Sequence, residues 1–219
     1  MGCSEQGERV HISSDKTEIE VTKVHTPVIT IDTTKSGEVG EAESTITIET
    51  RIDSVLVEKI TNYWNTKNEL LERFEYFDSL GLEYLQKDFT YWDSNYYKSF
   101  DWFDLNQERI MKIDSTFNKN GSRIKKIEKH LGSIKITDSY NSKGNYIIKR
   151  QILSDAMQKL FVEQGGKFYY KRYDMPISSD WIPTTSIDFG YAMNLVIEAE
   201  KIALKKVNER VEYKSRVNY

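Results

Sequence analysis

Tyr140-Asn141-Ser142-Lys143-Gly144, with Ile147 three residues on, reads as one complete hairpin: an aromatic, a turn-opening Asn, two polar residues, Gly fifth and a hydrophobe eighth. Asn and Asp open turns by bonding nearby backbone, and Gly accepts the positive φ that closes the loop. The pattern returns at Phe77-Asp78-Ser79-Leu80-Gly81 with Tyr84, and at Phe117-Asn118-Lys119-Asn120-Gly121 with Ile124. Phe161-Val162-Glu163-Gln164-Gly165 with Phe168 carries it without the Asn or Asp. Looser copies lack the Gly, at Trp64-Asn65-Thr66-Lys67-Asn68 with Leu71 and Phe103-Asp104-Leu105-Asn106-Gln107 with Ile110. Trp92-Asp93-Ser94-Asn95 begins another and lacks the hydrophobe. The spacing predicts that the flanking aromatic and hydrophobe face each other across two strands.

Segments between these turns are short and rich in Tyr, Phe, Ile and Val, as in Leu82 to Tyr91, Arg109 to Thr116 and Ser133 to Tyr140. They predict a mainly β fold, an antiparallel meander forming either a curved sheet or an up-and-down barrel. Earlier, Ile46, Ile48, Thr50 and Ile52 alternate with Thr45, Thr47, Glu49 and Arg51 as a half-buried strand. Ile19 to Val21 and Val28 to Ile31 look similar, and the acidic stretch from Ser36 to Glu43 reads as an exposed loop. After Pro176 and Pro183, Ala192, Leu195, Val196, Ala199, Ile202 and Ala203 recur at helical spacing. One amphipathic helix covering the sheet is therefore expected. Val211, Tyr213, Val217 and Tyr219 alternate with polar residues and predict a final strand. The chain divides accordingly into an N-terminal tether over 1–15, a hairpin-repeat sheet over 16–175, and a helix and strand over 176–219 that pack on it.

The repeats between Trp64 and Phe168 resemble the YD-like and MORN-like hairpin repeats of exported and surface-associated bacterial proteins, many of them lipoproteins. Met1-Gly2-Cys3-Ser4 resembles the end of a bacterial lipoprotein signal, in which a small residue precedes the cysteine that is lipidated after cleavage. The resemblance implies a signal peptide removed upstream, lipidation of Cys3 and a membrane-tethered place in the cell envelope, periplasmic or surface-exposed. Gly2-Cys3 is also compatible with dual acylation, although Gln6 stands where that motif favours Ser or Thr.

Charged residues make up 30% of the chain and apolar ones 38%, with mean hydropathy −0.61 and net charge −3. That composition allows a buried core, and no apolar run reaches the roughly 18 residues of a spanning helix. Cys3 is the single cysteine, so neither an internal disulfide nor a thiolate zinc cluster is available. His11, His25 and His130 lack ligand spacing, and no G-x-S-x-G elbow or phosphate-cradling loop occurs. Carboxylate pairs such as Asp101 with Asp104, or Glu72 with Glu75, are what a chain with 34 acidic residues produces by chance. The chain is accordingly expected to be non-enzymatic, with no cofactor, no metal and no nucleic-acid partner. Candidate binding residues are the aromatics Trp92, Tyr96, Tyr97 and Trp102, which could form a stacking platform. The basic segment from Lys119 to Arg150 adds Lys125, Lys126, Lys149 and Arg150. Its simplest account is complementarity with acidic parts of the chain itself. The expected function is to bind or scaffold another protein through the sheet surface. Alternatives are an immunity or inhibitor protein, a ligand- or carbohydrate-binding barrel, and a structural component of a virion or other assembly.

Overall fold

The computed structural model describes residues 26–37, 44–64, 70–92, 95–155, 157–172 and 180–216. The strands are β1 (Ile29–Ser36), β2 (Ser44–Ile52), β3 (Val55–Trp64), β4 (Leu70–Phe77), β5 (Glu83–Trp92) and β6 (Asn95–Phe103). They continue as β7 (Arg109–Asn118), β8 (Ile124–Leu131), β9 (Ile134–Tyr140), β10 (Ile147–Ser154), β11 (Lys159–Gln164), β12 (Lys167–Arg172) and β13 (Ile182–Pro183). All pair antiparallel in chain order, so the fold is a pure meander. β1 and β13 are its two edges and do not pair with each other, so the sheet is open and the barrel alternative is not formed. Helix α1 (Ser186–Arg216) closes the chain. The expected strand around Ile19 lies outside the described residues, as does most of the acidic loop before Ser44.

The decisive repeat holds because one side chain organises each loop. Asp78 Oδ1 accepts the N–H groups of Leu80 and Leu82, each at 2.9 Å, and Asp104 Oδ1 does the same for Asn106 and Glu108. Asn118 and Asn141 accept from Arg123 and Asn145. Three residues after each stands a positive φ: Gly81 at 73°, Gly121 at 72°, Gly144 at 73° and, where Gly is missing, Gln107 at 63°. This is a turn closed by a left-handed residue, and a register shift beside each loop completes it. Phe117 stands opposite Ile124 and Tyr140 opposite Ile147, as the spacing predicts. Phe77 and Phe103 instead face Glu83 and Arg109, one residue short of the predicted hydrophobe. The stretch from Phe161 belongs to another hairpin type: Gly165 and Gly166 form a two-residue loop with φ of 58° and 73°, and Phe161 faces Tyr170. Asp53 and Ser54 make a similar loop without glycine, at φ 49° and 70°.

Alternation along the strands gives the sheet two faces, and α1 lies on one of them across β7 to β12. Under it, Met111, Leu131, Ile136, Ile152 and Phe161 meet Phe189, Ala192, Val196 and Ala203. The helical positions follow a seam of three- and four-residue steps, so one stripe of the helix enters the core. Among the described residues, no fully buried hydrophobe lies in β1 to β6. The core therefore belongs to half of the sheet.

The expected final strand does not form. Val211 and Tyr213 belong to α1, which runs through Arg216, while Val217 and Tyr219 lie outside the described residues. No Gly or Pro interrupts the chain after Gly190, and the seam continues through Val207 to the buried Arg210. Arg210 Nη1 donates to Asp78 Oδ2 at 2.6 Å and Nη2 to the Leu82 carbonyl at 3.3 Å. Both side chains are almost wholly buried, at 4% and 0% exposure. Asp78 thus shapes the β4–β5 loop with one oxygen and anchors the end of α1 with the other. Removing one partner of such a buried pair costs about 3–5 kcal/mol, because the other charge is left without compensation.

The loop geometry separates two glycines with the same φ. A Cβ on Gly81 would meet nothing within 4 Å, whereas one on Gly144 would lie 2.9 Å from the Ile124 nitrogen and 3.0 Å from its carbonyl oxygen. Gly81→Ala should cost about 1 kcal/mol for the left-handed backbone alone. Gly144→Ala should cost about 1–3 kcal/mol more from the backbone clash. Urea denaturation of the two variants measures the difference, and equal losses would contradict the loop assignment.

Candidate functional site

On the helix side, the sheet continues past α1 as ordered cross-strand rows. Ile48, Ile60, Phe74, Lys87, Phe100 and Ile113 stand in register from β2 to β7. Phe74 meets Phe89 edge-on at 5.7 Å, and Phe89 meets Phe100 edge-on at 6.1 Å. Nearer the far end, Tyr91 stacks on Tyr96 at 4.6 Å, and Tyr96 adjoins Phe117 at 5.8 Å. The Lys98 ammonium sits among three rings, 5.3 Å from Tyr96, 5.5 Å from Phe117 and 6.0 Å from Phe89. Such ring faces attract a cation through their quadrupole. Burial, with help from Tyr91, pushes the Tyr96 phenol up to about 12. α1 packs chiefly on β7 to β12, and its far end reaches the β4–β5 loop and the Tyr84 ring of β5 through Arg210.

The opposite face carries cross-strand ion pairs. Arg73 forks onto Asp88 with bonds of 2.9 and 3.0 Å, Lys59 pairs with Glu75 at 3.4 Å, and Arg109 reaches the buried Asp101 at 2.7 Å. Burial raises Asp101 above the usual carboxylate range despite Arg109 and Lys112, and raises Glu83 with help from Glu75. Among the described residues no cluster of His, Cys, Asp and Glu could hold a metal ion.

The residues singled out from the sequence do not form one site. Tyr96 and Trp102 lie on the helix-side face, Trp102 against the core, while Tyr97 is exposed on the other face. Trp92 ends β5, and Cys3 lies outside the described residues. Lys125 occupies the irregular point of β8 and bonds Asn95, whereas Lys126 pairs with Glu128 on the charged face. Lys149 and Arg150 point to opposite faces, and Arg150 forks onto Asp138 at 2.6 and 2.7 Å beside α1. That pair, with Lys129 bonded to Glu200 of the helix, lines a cavity of about 120 Å³ completed by Met193, Val196 and Ile197. Within the basic segment Lys126, Lys129, Lys135 and Arg150 pair with acidic side chains of the same chain, while Phe74, Phe89, Phe100 and Lys98 form the ordered surface. Their strand parity was readable beforehand, but which face α1 would cover was not.

No protein-family model matches the chain, and no curated protein matches it in sequence.

Glu128 offers a test of the charged face. Burial acts to raise its carboxyl, but Lys126 at 2.6 Å and Lys135 at 2.7 Å more than offset it and hold the group at about 2. Because the folded value lies below the ordinary one, the stabilisation is present at neutral pH and is lost as pH falls from about 4.5 to about 2. Glu128→Gln should cost about 1 kcal/mol or less at pH 7, since water screens a half-open pair. The gap to the parent should close towards pH 2 in urea titrations. A gap unchanged at low pH would place the loss in packing instead of charge.

Proposed function

We propose that the chain is a non-catalytic binding module that engages another protein through the helix-side surface of β2 to β6, tethered to the cell envelope through lipidated Cys3. The observation that carries the reading is the ordered aromatic surface around Phe74, Phe89, Phe100 and Tyr96, which lies outside β7 to β12, the strands on which α1 chiefly packs. Aromatic side chains supply large contact area at little entropic cost and dominate protein interfaces. Lys87 and Lys98 lie among them, Lys87 4.6 Å from the Tyr76 ring, so apolar area is interleaved with charge as at a non-obligate interface. A partner fitting this surface presents a compact aliphatic or aromatic patch rimmed by carboxylates. The tether rests on the likeness of Met1-Gly2-Cys3-Ser4 to a lipidation junction.

A photoreactive residue at Tyr91, on the helix-side face, compared with one at neighbouring Thr90 on the other, tests the binding surface in cells expressing the native gene. A single defined adduct from Tyr91 and none from Thr90 is expected. Equal labelling from both positions, or none from Tyr91, would overturn the surface assignment. Intact mass of the same membrane fraction should show an acyl increment on Cys3, and an unmodified mass would remove the tether.

A further inference from the structure

Among the described residues β1 is an edge strand, with all eight of its residues exposed, Ile29 at 62% and Ile31 at 66%. Its pairing with β2 determines where its free hydrogen-bonding groups point. The Val28 carbonyl accepts the Asp53 N–H at 2.9 Å, and the Val28 N–H donates to Asp53 Oδ1 at 2.9 Å, so position 28 bonds towards β2. In an antiparallel ladder this alternates, so positions 30, 32 and 34 also bond inwards. Ile29, Ile31, Thr33 and Lys35 therefore direct their N–H and C=O groups away from the sheet. Such a row is a template for another strand.

We infer that the strand it takes is β1 of a second copy, antiparallel about a two-fold axis at Thr33, joining two sheets into one. A two-fold normal to the sheet keeps both helix-side faces on the same side and pairs residues of equal parity. Two registers overlap all but one residue of the strand, with the axis at Asp32 or at Thr33. The first sets Asp32 directly against Asp32 of the other copy, in the close pair without mutual hydrogen bonds where side chains approach most, and like charges there repel. The second sets Thr33 against Thr33 and Ile31 against Lys35, each pair exchanging both backbone bonds. Threonine pairs and an aliphatic stem over isoleucine are favourable cross-strand neighbours.

The opposite edge favours closure at two copies. β13 is two residues long and ends in Pro183, which has no N–H to donate, so it offers no matching edge for a head-to-tail chain. A single-strand contact is smaller than the roughly 1,000 Å² of a stable interface, so the association is reversible and grows with concentration.

Sedimentation of the full chain across a concentration series should show a mass rising from 25.7 kDa towards twice that value and no further. Thr33→Pro removes the two central donors of the dyad without touching a β1–β2 bond, and should remain monomeric with unchanged circular dichroism. In a Cys3→Ser background at the highest concentration, Thr33→Cys should cross-link on mild oxidation, and Ile29→Cys should not. A chain monomeric throughout, oligomers beyond two, or a Thr33→Pro protein that is folded and still dimeric would overturn the inference. If Thr33→Pro does not fold, the cysteine pair decides: cross-linking at 33 alone supports the dyad, and its absence sinks it.

Discussion

The structure depends on where α1 is pinned. Phe189 at one end meets Phe168 at 5.2 Å, and Arg210 at the other is clamped by Asp78, so the helix is held across the sheet at two points. A helix of 31 residues spans roughly 46 Å, enough to cross from β12 to the β4–β5 loop. Between these points its apolar stripe supplies the second layer without which a sheet face has no core. Asp78 binds loop formation to helix docking: the carboxylate that organises Leu80 and Leu82 is the one that Arg210 needs.

Beyond the reach of α1 the sheet must be stable as a single layer. It manages this by keeping long side chains on both faces, so that neighbours shield one another. Rings and lysine stems interlock on the helix side, and alternating charges pair across strands on the other. Cross-strand pairs of this kind contribute about 0.2–1 kcal/mol each, less than a buried core residue. The same economy leaves an aromatic surface and the outer edge of β1 open among the described residues, so the half beyond α1 is the weaker part of the fold.

Much of this was legible in the sequence because it is local. Asn or Asp followed three residues later by Gly encodes a loop within five residues, and the helical seam from Ala192 to Ala203 repeats within one turn. The loop ending at Gln107 was read only as a looser copy, and the Asp53-Ser54 loop escaped, because residues other than glycine adopt positive φ there, which composition does not announce. The supposed last strand arose because Val211 and Tyr213 are two residues apart, while the helix uses Tyr213 as part of the series through Arg210. The candidate residues fall on different faces for a similar reason: Tyr96 with Tyr97, and Lys149 with Arg150, are neighbours in sequence and so lie on opposite faces. The Asp78–Arg210 pair was beyond reading, since nothing local links residues 132 apart.

Native-state hydrogen exchange resolved by strand tests the central claim, that the core under α1 and the single layer beyond it are stabilised by different means. Amides of β8 to β11 should exchange only through global unfolding, and those of β2 to β4 through a smaller opening with weaker dependence on denaturant. Equal protection and equal denaturant dependence across all of these strands would contradict the account.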